Sequence, residues 1–254
     1  MTDSTSPTIV LVHGAFADAS SWNGVIKRLQ AAGHQVAAPP NPLRGIAYES
    51  AYIASYFEQI DGPVLAVGHS YGGAVISNAA EQSDNVVGLV FVAAFAPDEG
   101  ERLGEVEGES KDSVLMSTLE QLQYPTGRGS ETAVESAIDP AKFHDAFAAD
   151  LPAEQAASMA ATQRPVAEFA FSEASGRPAW RSLPSWAVVA TGDRAAGTDV
   201  IRSMAERAGA IITEVEGSHV ILVSQPQVVA EVIATAAAAA LDRPGALTGA
   251  SQSR

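Results

Sequence analysis

Val64-Leu65-Ala66-Val67-Gly68-His69-Ser70-Tyr71-Gly72-Gly73 decides how this chain is read. Four apolar residues with two β-branched valines read as a buried strand, and a helical pattern runs over 71–82. Between them stands Gly-x-Ser-x-Gly, the spacing of a nucleophile elbow, a tight strand-to-helix turn that exposes a serine. A strained nucleophile needs small neighbours, and Gly68 and Gly72 let strand and helix approach closely. Ser70 then projects its hydroxyl at the carboxyl edge of a sheet, where the helix N-terminus favours negative charge. A glycine-rich loop with an incidental serine is the plainer alternative. The strand before the motif and the helix after it weigh against that.

Working outward, apolar runs at 9–12, 86–92, 186–190 and 211–215, with a weaker one at 35–38, read as further buried parallel strands. Helical patterns alternate with them. Trp22, Val25, Ile26 and Leu29 share one face, with Ser20 as a cap and Gly33 just past the end. Others cover 47–60, 199–208 with Gly209 after it, and 226–241 with Pro226 in the first turn. The alternation predicts a six-stranded, mostly parallel sheet with helices on both faces and right-handed crossovers. Residues 97–184 interrupt it: helical fragments at 114–122 and 153–162 are visible, and no strand. The expected organisation is a core of 1–96 and 185–241, an inserted helical cap over 97–184, and a disordered tail over 242–254. The start of the cap, with Asp98, Glu99, Glu101, Glu105, Glu107, Glu109 and Asp112 against Arg102 and Lys111, reads as mobile and solvated.

Bulk properties narrow the function. A chain of 254 residues holds one core domain with an insertion, and 46% hydrophobic with 18% charged residues describes a folded globular protein. A formal net charge of -15 repels phosphate backbones and anionic membranes, so neither nucleic acid nor membrane is expected as a partner. No apolar run is long enough for a bilayer, and residues 1–7 lack a basic end and an apolar stretch, so a cytoplasmic location is expected. Zero cysteines remove disulfides and thiolate chemistry, leaving an oxygen or a lysine as any covalent nucleophile.

A serine hydroxyl needs a base. Five histidines compete for that role. His34 lies in a helix-to-strand turn, His69 points away within the elbow, and His144 falls in the cap with no strand to fix it. His13 ends the first strand. His219, in Gly217-Ser218-His219 after the strand at 211–215, lies where a base can reach Ser70. The acid that orients the base is expected between them in sequence. Asp193, after the strand at 186–190, leads; Asp98 is the rival, and Asp199 more naturally caps the helix beginning there. The oxyanion donors are the backbone N–H groups of Ala15, in His13-Gly14-Ala15-Phe16, and of Tyr71.

These motifs together resemble the α/β-hydrolase superfamily over nearly the whole chain, in particular small bacterial members similar to plant methylesterases and hydroxynitrile lyases. The resemblance rests on Leu11-Val12-His13-Gly14-Ala15, Trp22, the elbow at 68–73, the stretch at 93–100, and Gly217-Ser218-His219 followed by Ser224-Gln225-Pro226. It implies the α/β-hydrolase fold, a small cap over the site, and the same roles for Ser70, Asp193, His219 and the Ala15 and Tyr71 amides. The chain departs in one place. Such enzymes often carry a proline in the loop after the acid, where this chain has Ala195-Ala196-Gly197-Thr198.

The leading expectation is hydrolysis of a neutral, fairly apolar carboxylic ester or lactone through an acyl-enzyme. Alternatives are a hydroxynitrile-type lyase, disfavoured because Val220 and Ile221 rather than a lysine follow His219, a perhydrolase on the same groups, and a ligand-binding protein without turnover. Phe16, Phe95, Phe169, Phe171 and Trp180 are the candidate pocket residues, each equally able to be core. No cofactor and no metal are expected: the histidines are scattered, and Gly127-Arg128-Gly129 lacks the third glycine and preceding strand of a dinucleotide site. The partner is a small-molecule ester or lactone. The oligomeric state stays open, a homodimer included.

Overall fold

The computed structural model describes residues 6–241, so the tail expected at 242–254 lies outside the described residues. The chain opens with β1 (Thr8–Val12), α1 (Asn23–Ala31), β2 (Val36–Ala37), α2 (Ile46–Glu58), β3 (Val64–His69), α3 (Tyr71–Ala80) and β4 (Val86–Val92). There follow α4 (Leu103–Gly108), β5 (Leu119–Pro125), β6 (Thr132–Ile138), α5 (Pro140–Phe147), α6 (Ala153–Thr162), β7 (Val166–Ala167) and α7 (Glu168–Ser172). Last come β8 (Ser185–Ala190), α8 (Thr198–Arg207), β9 (Ile211–Val215), α9 (Ile221–Ser224) and α10 (Pro226–Leu241).

Six strands form one sheet in the order β2-β1-β3-β4-β8-β9. Every pairing in it is parallel. The α/β-hydrolase fold expected from the sequence is therefore present, with an all-parallel rather than a mostly parallel sheet. Its inner strands β1, β3, β4 and β8, buried on both faces, are the near-continuous apolar runs that marked them in sequence, while the edge strands β2 and β9 are half exposed. Order and handedness together place the helices. The step from β1 to β2 runs one way along the sheet, while the steps through α2, α3 and α8 run the other. Right-handed crossovers put α1 on one face and the other three opposite. Packing agrees: α1 lies against α10, and α2 against α3.

The reversal of direction falls between β1 and β3, which pair with Leu11 opposite Val67 and Val12 opposite Gly68. A crevice opens outside the carboxyl ends of strands at such a switch point. The turn after β3 is tight enough to exclude side chains. A Cβ on Gly68 would stand 2.5 Å from the Gly72 carbonyl oxygen, and one on Gly72 would stand 2.5 Å from that of Val12. All of β3 and all of α3 are buried, so the turn is clamped on both sides by core. Truncating a large buried side chain there, such as Leu65 or Ile76, costs about 2–5 kcal/mol. Among the described residues no helix is long and apolar enough to cross a membrane.

The interval 97–184 corrects one expectation. It carries helices, and also a three-stranded antiparallel sheet in the order β5-β6-β7. The fragment expected to be helical over 114–122 is a single 3-10 turn, Leu115–Thr118, running into β5. The carboxylates at its start are engaged rather than free: Asp98 pairs with Arg181, Glu101 with Arg207, and Glu107 is buried against Ser113.

Candidate active site

Ser70 occupies the turn between β3 and α3 with φ +53°, in the left-handed region that side chains other than glycine rarely adopt. Three backbone hydrogen bonds hold it there. Its N–H donates to the Val92 carbonyl at 3.2 Å, and its own carbonyl accepts from Phe95 and Gly73 at 3.1 and 3.0 Å. Strain of about 1–3 kcal/mol at such a residue persists only where its surroundings over-determine it.

His219 comes from the loop after β9. Its Nε2 lies 2.8 Å from Ser70 Oγ and its Nδ1 lies 2.7 Å from Asp193 Oδ2. The side chains of His219 and Asp193 are 2% and 1% exposed. An ionised carboxylate only accepts, so Nδ1 carries the proton, Nε2 is left as an acceptor, and the Ser70 hydroxyl donates to it. Asp193 Oδ1 in turn accepts from the backbone N–H groups of Ala195 and Ala196, each at 3.0 Å. The loop that departs from the resemblance by lacking a proline thus uses two amide hydrogens that a proline would remove. Thr198 closes the loop, taking the Asp193 N–H at 3.1 Å and donating its hydroxyl to the Ala190 carbonyl at 2.8 Å.

The remaining candidates separate. Asp98 is engaged by Arg181 at 2.6 Å at the surface. Asp199 is not the helix cap it resembles, since Gly197 holds that position; its carboxylate takes the Ser110 hydroxyl at 2.6 Å and the Lys111 N–H at 2.9 Å. His144 donates to the Leu151 carbonyl. His13 is buried, with Nε2 accepting from the Asn41 N–H at 3.0 Å, and burial lowers its pKa. His69 is fully buried with its pKa held well below the imidazole range, first by desolvation and then by His219. Both rings are therefore neutral supports at neutral pH. Ala15 and Tyr71 are buried at the ends of β1 and β3, and among the described residues neither backbone N–H has an acceptor.

Over Ser70 and His219 lies a narrow cavity of about 10 Å³, lined by Ala15, Phe16, Phe95, Leu115, Phe147, Phe171, Ala195 and Ala196. Of the candidate pocket residues, Phe16, Phe95 and Phe171 stand in this lining. Phe169 and Trp180 stand outside it. Phe169 is 58% exposed, because helix α7 turns it outward beside Gly45, and the Trp180 indole donates to the Pro97 carbonyl at 3.2 Å. Leu115 and Phe147 escaped the sequence reading. Phe147 had a legible signal, since Asp139 and Pro140 mark a helix start and Phe143 and Phe147 stand four apart. Among the described residues no group of three or more His, Asp or Glu side chains is placed to hold a metal ion.

Comparison with known proteins fits this geometry. The profile of the alpha/beta hydrolase family matches residues 9–232. Esterase PIR7B of Oryza sativa subsp. japonica is 27% identical over 66% of this chain and 69% of its own length. The carbendazim hydrolyzing esterase of Nocardioides sp. (strain SG-4G) is 31% identical over 37% of this chain, and the match spans only 44% of that relative. Polyneuridine aldehyde esterase shares the fold with a TM-score of 0.75 at 21% identity, over 91% of this chain and 98% of that one.

Proposed function

Because the chain belongs to the alpha/beta hydrolase family, we propose that it is an esterase in which Ser70 is the nucleophile, His219 the base and Asp193 the acid that orients the base. One observation carries the reading: an unbroken chain of hydrogen bonds from Ser70 Oγ through both ring nitrogens of His219 to Asp193. Ser70 Oγ attacks the acyl carbon as its proton passes to His219 Nε2, and the carbonyl electrons move onto oxygen. The Ala15 and Tyr71 N–H groups receive that oxyanion. When the tetrahedral carbon collapses, the alcohol departs with the proton from Nε2. Water then repeats the sequence on the acyl-enzyme and frees the acid. Asp193 stays ionised throughout, held by two amides, and stabilises the imidazolium.

The substrate is a neutral, fairly apolar carboxylic ester or lactone. Aromatic and aliphatic side chains line the cavity, and a net charge of -15 disfavours the approach of anions. Residues 97–184 act as the cap, since they supply Leu115, Phe147 and Phe171 to the cavity wall.

The test is hydrolysis of p-nitrophenyl butyrate with fluorophosphonate labelling. Wild type is expected to turn over and to label at Ser70. Ser70→Ala is expected to lose at least about 10³-fold in kcat with an unchanged circular dichroism spectrum. Hydrolysis retained by that variant would overturn the assignment.

A further inference from the structure

Phe16 belongs to two spaces at once. On its inner side it walls the 10 Å³ cavity over Ser70. On its outer side it floors a separate pocket of about 170 Å³ opening to solvent, lined also by Asp18, Ser21, Gln155, Met159, Thr162 and Val223. The inner cavity has room for about one water, so no ester enters it without a side chain moving. Phe16 itself is 2% exposed, with φ +58°, an unfavourable conformation for a bulky residue. Its ring stacks on Phe171 at 6.5 Å and stands edge-on to Phe147 at 6.3 Å.

We infer that Phe16 is the gate between these two spaces, and that the outer pocket is the subsite for the alcohol half of the ester. This inference rests on the esterase reading above. Direction decides which half goes where. The leaving oxygen takes its proton from His219 Nε2, so the alcohol departs on the His219 side of the cavity. On that side Phe147 lies 4.9 Å from the His219 ring and also touches Phe16. Val223, four residues after His219, lines the outer pocket. The acyl half keeps the opposite end, against Phe95, Leu115 and Phe171.

The pocket's chemistry names the class of alcohol. Ser20, Ser21, Gln155 and Thr162 line it beside Met159 and Val223, and none of its lining residues is cationic; the Ser21 and Thr162 hydroxyls donate to backbone carbonyls and keep a lone pair for an incoming donor. Asp18, its one ionised group, opposes anions. The subsite therefore takes an uncharged alcohol carrying hydroxyl or ether oxygens on a short carbon chain, with the small apolar acyl group held inside.

The test compares two series by acid release, both starting from methyl acetate. One enlarges the alcohol, to n-hexyl acetate and diethylene glycol monoacetate; the other enlarges the acyl group, to methyl hexanoate. In Phe16→Ala the kcat/KM of each large-alcohol ester relative to methyl acetate is expected to rise at least tenfold, while the methyl hexanoate ratio moves less than threefold. Met159→Trp, which fills the outer pocket from an exposed helix, is expected to lower the large-alcohol ratios at least fivefold. Wild type is expected to prefer the glycol ester to the hexyl ester. Phe16→Leu provides the same comparison if the alanine variant fails to fold. Ratios that stay put in both series, or an acyl ratio that shifts as much as the alcohol ratios, would overturn the gate while leaving the esterase reading intact. A folded wild type that releases acid from none of these esters would overturn both.

Discussion

The ring of His69 holds the backbone of His219, its Nε2–H donating to the His219 carbonyl oxygen at 3.0 Å. The residue next to the nucleophile thereby fixes the loop that carries the base, and the two rings lie 4.9 Å apart. Burial favours the neutral His69 ring, with its one proton on Nε2. His69→Phe would fill the space and leave a buried carbonyl without a donor, which costs about 1–3 kcal/mol. Urea denaturation is expected to show that loss, with kcat falling alongside. His69→Gln restores a donor and is expected to recover part of both.

Asp193 is held by amides that the loop can offer only without proline. Ala196→Pro deletes one N–H to Asp193 Oδ1, and a hydrogen bond to a charged group is worth about 1.5–3 kcal/mol. We expect kcat/KM to fall about 10- to 100-fold with little change in KM, because the missing interaction orients the base rather than binding substrate. Steady-state kinetics on one activated ester checks this. An unaltered kcat would show that one amide suffices.

Gly14 leaves no room for a side chain between the proposed oxyanion donor and the nucleophile. A Cβ there would stand 2.6 Å from Ser70 Cβ and 2.9 Å from the His69 carbonyl oxygen. Gly14→Ala must push the Ala15 amide away from Ser70, and a displacement near 1 Å at a reacting centre costs about 10²-fold in rate. Gly62→Ala meets no atom within 4 Å, and its cost is confined to stability. Parallel rate and melting measurements on the two variants separate these effects.

Glu107 sets a slope of stability against pH. Burial raises its carboxyl pKa, and the Ser113 hydroxyl beside it also contacts the Ala195 carbonyl at 2.6 Å. One hydroxyl hydrogen cannot serve two acceptors, so a protonated Glu107 donating to Ser113 satisfies all three oxygens. The folded state then keeps a proton that the unfolded chain releases at ordinary carboxyl pKa, about 4.3. This contribution is full below that pKa and is lost as pH rises through the raised folded value. Glu107→Gln mimics the protonated acid, so its stability relative to wild type is expected to grow from acidic to neutral pH. Equal denaturation midpoints at every pH would remove the proton from this account.

What was legible in the sequence followed from burial. Strands sealed on both faces must be apolar throughout, so β1, β3, β4 and β8 stood out, while the half-exposed edge strand β9 showed through Ile211, Ile212 and Val215, and the residues at the carboxyl ends of these strands became the site candidates. Residues 97–184 hid more because their strands are half exposed, and the apolar run that betrays a buried strand is absent from Leu119–Pro125. One signal there was passed over. Gly127 and Gly129, weighed only as a nucleotide motif, both adopt positive φ in the connection between β5 and β6, which is what a hairpin loop demands of glycine. The side chains closing the cavity could not be ranked, because Phe169 and Phe171 differ only in which way a five-residue helix turns.

Phe16, Ser70 and Ala93, three of the four non-glycine residues with positive φ among those described, each follow the end of one of three adjacent strands. Backbone tension is gathered along a single arc, and that arc is where the chemistry is proposed to occur. Heat would then find its weakest point at the working edge. Gentle warming is expected to silence the protein while its helices remain intact, and a version bred for endurance would have to trade away some of its reactivity.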